Sequence, residues 1–224
     1  MKIVNLNISS QGFYFVDKNG QKLPLSKALG KIFGRFFSVF LDLELYLLWI
    51  IGYIPSHIIR KLFYLLAGIK MAKGSTFHMG ARFYKPWNIS IGEGTIVGRG
   101  AAIENRCRIG RRCKLETNAY ITGSSELEDY VFVAPMVTTS NDNYMGRSEE
   151  RRKHYKGVTI RRGGRVGANA TVLPGKVIEA DGMVAAGSVV TRDVPAGVIV
   201  AGVPARPLRP VSSDQLVDSQ EDTT

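Results

Sequence analysis

Few side chains in this 224-residue chain can move a proton near neutral pH. Its three histidines are scattered: His57 in an apolar stretch, His78 twenty-one residues on, and His154 in a polar one. His154 belongs to residues 140–157, SNDNYMGRSEERRKHYKG, the one long interruption in an otherwise regular sequence. An imidazole on such a loop has the intrinsic range for a general base, although a solvated histidine in a basic run is the plainer reading. No phosphate-cradling glycine loop, GxSxG elbow or HExxH pair is present. Cys107 and Cys113 sit six apart in a chain with no other cysteine, as expected of reduced interior fillers and not of a disulfide or metal pair.

The element that must position these residues is a ladder of aliphatic rungs six apart. It runs Ile91, Val97, Ile103, Ile109, Leu115, Ile121, Leu127, Val133 and Thr139, and resumes at Ile160, Val166, Val172, Ile178, Val184 and Val190. Four residues after each rung lies a mostly small residue, such as Thr95, Ala101, Cys107, Cys113, Ala119, Ser125, Gly164, Ala170, Gly182 and Ser188. A helix cannot hold a period of six, because its apolar stripe would drift round the axis. A uniform short repeat means a solenoid in which three repeats close a triangular coil and each rung stacks on the rung eighteen residues later. Met71, Phe77 and Phe83 extend the ladder backwards, with Lys85-Pro86-Trp87-Asn88 shifting the phase by two. That gives about six coils. Gly100, Asn118 and Asn169 fall where turns need left-handed backbone.

This ladder, with Gly202-Val203-Pro204-Ala205-Arg206 just beyond it, resembles the hexapeptide-repeat acyltransferases over roughly residues 71–210. The branch it is most similar to acetylates sugars for cell-surface polysaccharides. The resemblance implies an all-β solenoid, a left-handed parallel β-helix. It also implies a homotrimer with acetyl-coenzyme A as acyl donor in the groove between neighbouring prisms. The acceptor would be a hydroxyl or amino group of a nucleotide- or lipid-linked sugar. Many relatives carry an Asp-His pair where this chain has Asp142-Asn143. Asp142 matches the aspartate. Asn143 replaces the base, and an amide can only orient an acceptor or donate to an oxyanion. The base is then His154, or an amine acceptor needs only a weak proton sink such as Asp142 or water. A non-catalytic trimeric scaffold is the alternative. For the donor, Arg206 and Arg209 fall where relatives meet the nucleotide's phosphates. Gly167, Ala168, Ala186 and Gly187 are small enough for a pantetheine arm to lie against. A zinc enzyme on this fold needs three converging imidazoles, which three scattered histidines do not provide, so no metal is expected.

The flanks read separately. Residues 1–30 suggest a small β element, with Phe13, Phe15 and Val16 turning at Asn19-Gly20 and returning through Lys22, Leu23 and Leu25. Residues 31–70 form an apolar helical segment, broken at Pro55 with Ser56 placed to cap a second helix. Basic residues lie on both sides of it: Lys27, Lys31 and Arg35 before, Arg60, Lys61, Lys70 and Lys73 after. Symmetric charge favours association with one leaflet over a crossing, and a cap on the solenoid's end is the competing reading. The net charge of +11 suits an anionic membrane or a phosphate-bearing donor; no aromatic-and-basic motif suggests nucleic acid. The first thirty residues carry no cleavable signal pattern, so the expected place is the cytoplasm, at the inner face of the cell membrane. The tail, 211–224, is polar and acidic and is expected to be disordered.

Overall fold

The computed structural model describes residues 5–9, 12–16, 19–147 and 149–217. The chain divides into two units, Met1–Leu47 and Leu48–Thr224. In the first, β1 (Asn5–Ser9), β2 (Gly12–Val16) and β3 (Lys22–Leu23) form an antiparallel sheet, with Phe15 paired to Leu23 and Val16 to Lys22. Leu25, expected in the returning strand, instead opens helix α1 (Leu25–Gly52). Pro24 ends the strand because it lacks an N–H, and its carbonyl accepts from Ala28 (3.0 Å), which starts the helix well before residue 31. Among the described residues no helix is long and apolar enough to cross a membrane; Asp42 and Glu44 interrupt α1.

The second unit is a left-handed parallel β-solenoid of about seven turns, where the ladder from Met71 to Val190 predicts about six; Val200 adds a further rung to the second face beyond it. Each repeat contributes a two-residue strand, and the strands fall into three parallel sheets. On face one Met71, Ile91, Ile109, Leu127, Ile160 and Ile178 stack in register; on face two Phe77, Val97, Leu115, Val133, Val166, Val184 and Val200; on face three Phe83, Ile103, Ile121, Thr139, Val172 and Val190. The six-residue ladder is therefore the core, and its rungs from Val97 onward are essentially sealed from solvent. Loss of one such rung leaves a cavity that stacked neighbours cannot fill.

Left-handed backbone recurs three residues after most rungs, where the chain turns a corner in few residues. Gly94 and Gly100 take it without strain, but Arg106, Arg112, Asn118, Ser124, Tyr130, Met136, Asn169 and Asp181 take it too. The hydroxyls on the inner track are all satisfied. Thr95 accepts from the Cys113 N–H (3.0 Å) and donates to the Gly110 carbonyl (2.7 Å); Ser125 accepts from Val158 N–H (3.1 Å) and donates to Thr122 (2.7 Å). Cys107 and Cys113 are buried free thiols, pushed by burial up to about 12 and about 11.

The first coil is closed by helix α2 (His57–Leu66), capped as its sequence requires by Ser56, whose side chain accepts from the Ile59 N–H (3.5 Å). Its inward residues are polar. Arg60 donates to the carbonyls of Ile54, Pro55 (3.1 Å) and Phe77 (2.8 Å). Lys61 reaches the Ser75 carbonyl (3.2 Å), and Tyr64 that of Ala81 (3.1 Å). Tyr64, Phe77 and Phe83 meet edge to face at 4.9–5.7 Å and plug the bore. At the far end Val198–Ala201 and Arg206–Pro210 form an antiparallel pair on face two. The tail departs from its expectation: Val211 and Val217 are buried, and the Val217 N–H bonds Asp181 (3.1 Å). Two apolar residues suffice to dock it on the last turns, while residues 218–224 lie outside the described set.

Two measurements check this core. Ile121→Ala costs about 2–5 kcal/mol in a denaturant melt. Burial pushes the Tyr64 phenol up to about 12 from its ordinary 10. A raised acid keeps its stability below pH 10 and loses it as pH climbs towards 12, because the unfolded chain ionises first. The melting temperature therefore falls across that window, and Tyr64→Phe flattens the fall.

Candidate active site

Loop 140–157 leaves face three after Thr139 and rejoins face one at Thr159. Its neck is closed by the Lys156 N–H donating to the Asn141 carbonyl (3.1 Å). Gly157 is required there: a Cβ would run into the Ser124 carbonyl on the coil below. Below the neck, Thr139 accepts from the Thr122 N–H (2.7 Å) and donates to the Tyr120 carbonyl (3.1 Å). A polar side chain thus takes the rung where the chain departs.

Within the loop Asp142 has a holding role. Its carboxylate accepts from the N–H groups of Tyr144 (2.8 Å) and Gly146 (3.3 Å) and faces Arg151 Nε at 3.7 Å. Arg151 also donates to the Tyr155 hydroxyl (3.1 Å). Asn143 is exposed beside it. His154 ends a short 3₁₀ helix, Glu149–His154, with its exposed ring 5.4 Å from that of Tyr144. Among the described residues no hydrogen bond joins His154 to Asp142 or Asn143. The loop gathers the three residues, and Asp142 organises the turn on which Asn143 is presented.

The donor candidates stack on another corner, between faces two and three. Gly167 and Ala168 follow the rung Val166, and Ala186 and Gly187 follow Val184 one turn later. The Gly187 N–H donates to the Ala168 carbonyl (2.8 Å). Gly167 lies so close to the next coil that a Cβ would stand 2.5 Å from the Ala186 nitrogen. Gly187 has left-handed backbone (φ 68°) and open space where a Cβ would be. This leaves a shallow, open strip of wall. The Gly202–Ala205 turn closes the next level, with the Gly202 N–H on Ser188 Oγ (3.1 Å) and the Ala205 N–H on the Val189 carbonyl (2.8 Å). Beyond it Arg206 and Arg209 are exposed and meet no carboxylate among the described residues.

Face three joins the two groups. Its strands Thr138–Thr139, Thr171–Val172 and Val189–Val190 run from the small-residue corner towards the loop corner, so Thr138, Thr171 and Val189 floor the space between them. Lower on this face is a cluster the sequence did not single out. The Tyr120 hydroxyl donates to Glu104 Oε1 (2.6 Å), while Glu104 Oε2 accepts from the Gly123 N–H (2.7 Å). Burial, then this carboxylate, push the Tyr120 phenol well above its ordinary range. Period six marks both residues as outward-facing and nothing more.

The opposite corner, between faces one and two, is a charge ladder. Arg111 bonds Asp129 (2.7 Å), Arg161 bonds Glu128 (2.6 Å), and Tyr130 lies between the guanidinium groups of Arg112 and Arg162. Arg161 holds the Glu128 carboxyl below its ordinary value. A cleft of about 310 Å³ opens here, and two of the carboxylates lining it, Glu128 and Asp129, are already bonded to Arg161 and Arg111. Among the described residues no group of His, Cys, Asp or Glu could hold a metal ion.

No family model matches the chain. In sequence it is 28% identical over 142 residues to the galactoside O-acetyltransferase of Escherichia coli, covering 62% of this chain and 56% of that one. Over 46 residues it is 56% identical to the 2,3,4,5-tetrahydropyridine-2,6-dicarboxylate N-acetyltransferase of Clostridium perfringens, 20% of either chain. It thus spans less than two thirds of the length of these relatives. In fold it is similar to a hexapeptide transferase family protein from Anaplasma phagocytophilum, with a TM-score of 0.55 at 19% identity, over 68% of this chain and 85% of that one. It is also similar to AntD, an N-acyltransferase from Bacillus cereus in complex with dTDP and 3-hydroxybutyryl-CoA, with a TM-score of 0.51 at 19% identity, over 73% and 94%. The chain is thus similar in sequence to acetyltransferases, and its left-handed β-helix is a fold shared with a hexapeptide transferase family protein.

Proposed function

We propose that this protein transfers an acetyl group from acetyl-coenzyme A to a hydroxyl or amino group of a sugar. The supporting observation is that the loop with Asp142, Asn143 and His154 and the open strip at Gly167, Ala168, Ala186 and Gly187 flank the same wall. A thioester arm lying along that strip would bring its acetyl carbon towards the loop, with its phosphates near Arg206 and Arg209. The acceptor's nitrogen or oxygen bonds to the acetyl carbon, the carbon–sulfur bond breaks, and the acceptor's proton passes to a base while the thiolate leaves. Asp142 is engaged by two N–H groups and Arg151, which makes it a holder of the loop. His154 is the group available to take the proton. Asn143 is presented to steady the acceptor or the oxyanion.

A single wall is open on one side, and a homotrimer would supply the second wall of the slot. The sugar is nucleotide- or lipid-linked, in keeping with cell-surface polysaccharide synthesis at the cytoplasmic side of the membrane. Residues 31–70 would supply contact with that membrane.

Thiol release from acetyl-coenzyme A, measured across amino sugars and sugar alcohols, tests the assignment. Turnover with at least one acceptor is expected, and His154→Ala lowers it about a hundredfold or more. A near-normal rate in that variant moves the proton to Asp142 or to the acceptor itself. Coenzyme binding with no turnover on any acceptor would favour the scaffold reading, which the amide of Asn143 in place of an imidazole also suits. Gly157→Ala, by displacing the neck, lowers the rate and makes the loop's Arg and Lys bonds more readily cut by trypsin.

A further inference from the structure

We infer that the outward face of α2, with the end of α1 next to it, lies in the interface of an anionic bilayer and seats the first coil of the solenoid on the membrane. This deepens the membrane contact proposed above, and rests on it, by naming the surface and the lipid charge.

The amphipathicity of α2 is inverted relative to an ordinary capping helix. Arg60 and Tyr64, one turn apart, point into the solenoid and donate to its carbonyls. The opposite side carries Ile58, Leu62 and Leu66, which are 70%, 54% and 73% exposed. Trp49 and Tyr53, on the segment leading into α2, are exposed as well. A helix that hides its charge and shows its aliphatic side chains needs an apolar phase against it. Trp and Tyr at the margin of such a face are the residues that favour the boundary between headgroups and acyl chains.

Charge selects the partner. From Leu45 to Gly92 the chain contains no Asp or Glu, but has Arg60, Lys61, Lys70, Lys73, Arg82 and Lys85. Lys70, Lys73 and Lys85 are exposed on the first coil, directly after α2. An apolar patch followed along the chain by exposed lysines, with no acid between Leu45 and Gly92, is complementary to anionic headgroups. It repels a second copy of itself. The ten-residue α2 is too short to span, and no described helix is long and apolar enough to do so, which leaves the helix lying in the plane of the interface. Because Arg60, Lys61 and Tyr64 tie α2 to the first coil, the solenoid is held by its end.

The test is flotation of the full chain with phosphatidylcholine vesicles, with and without phosphatidylglycerol. The protein is expected to float with the anionic vesicles and only weakly with neutral ones. The triple variant Ile58→Glu, Leu62→Glu, Leu66→Glu lowers the bound fraction about tenfold or more while keeping the far-ultraviolet spectrum of the solenoid. Lys70→Gln with Lys73→Gln narrows the preference for anionic vesicles. In a Trp87→Phe background, which leaves Trp49 alone to report, brominated lipids quench the fluorescence. Flotation unchanged in the triple variant, or Trp49 left unquenched, overturns the assignment to this face while leaving a membrane contact elsewhere on the chain. No flotation at all overturns both. Loss of an oligomer in the triple variant, with vesicle binding intact, gives the face to a second copy and also overturns it.

Discussion

The structure depends on backbone hydrogen bonding between successive coils across a bore only one side chain deep. Each two-residue strand pairs with the strand one coil above and below, and each rung rests on the same kind of residue. This arrangement tolerates little variation inside. Aliphatic rungs and small neighbours fill the prism, and the hydroxyls of Thr95, Ser125 and Thr139 are accepted only because each is bonded to main chain. It also leaves two open ends, where carbonyls and aromatic rungs would otherwise meet water. The ends are solved differently. At the start, Arg60, Lys61 and Tyr64 act as side-chain donors, and two phenylalanine rungs pack edge-on against the tyrosine ring. At the finish, an antiparallel hairpin and a docked tail cover the last turns.

A wall this rigid places chemistry at its interruptions. Corners are where the main chain is bare enough to approach, and loops are where side chains can leave the lattice. The loop at residues 140–157 and the small-residue corner at residues 167–168 and 186–187 border one face because the repeat carries the chain from corner to strand to corner every six residues. The opposite corner shows what the same geometry gives without such an interruption: acids and bases in register bond one another, as Arg111 does Asp129 and Arg161 does Glu128, and stay structural.

The fold was almost wholly legible in the sequence because its period is short and its inner positions are chemically strict. The rungs, the phase slip at Lys85-Pro86-Trp87-Asn88, the left-handed Gly100, Asn118 and Asn169, and the Ser56 cap are all local consequences of residue type. What stayed hidden depended on packing in three dimensions. Leu25 reads as a strand residue until Pro24 is seen to end the pairing. The tail reads as disordered because two valines give no periodic signal, although two are enough to dock it. Asp142 reads as an acid–base candidate from its neighbours in sequence, whereas its partners in space, Tyr144, Gly146 and Arg151, give it a turn to hold. Glu104 and Tyr120 lie sixteen residues apart, and only the winding brings them together.

The capped end and the loop are separated by whole coils, and that makes the solenoid a measuring rod. On face three the strand at Phe83 belongs to the first coil and the strand at Thr139 to the fourth, three strand spacings apart. At about 4.8 Å per spacing this is about 14 Å. Stretching or compressing it would break the ladder of main-chain bonds, so the distance can change only in steps, by adding or deleting a full eighteen-residue winding. Whatever the first coil stands on, the loop is carried at one quantised height above it.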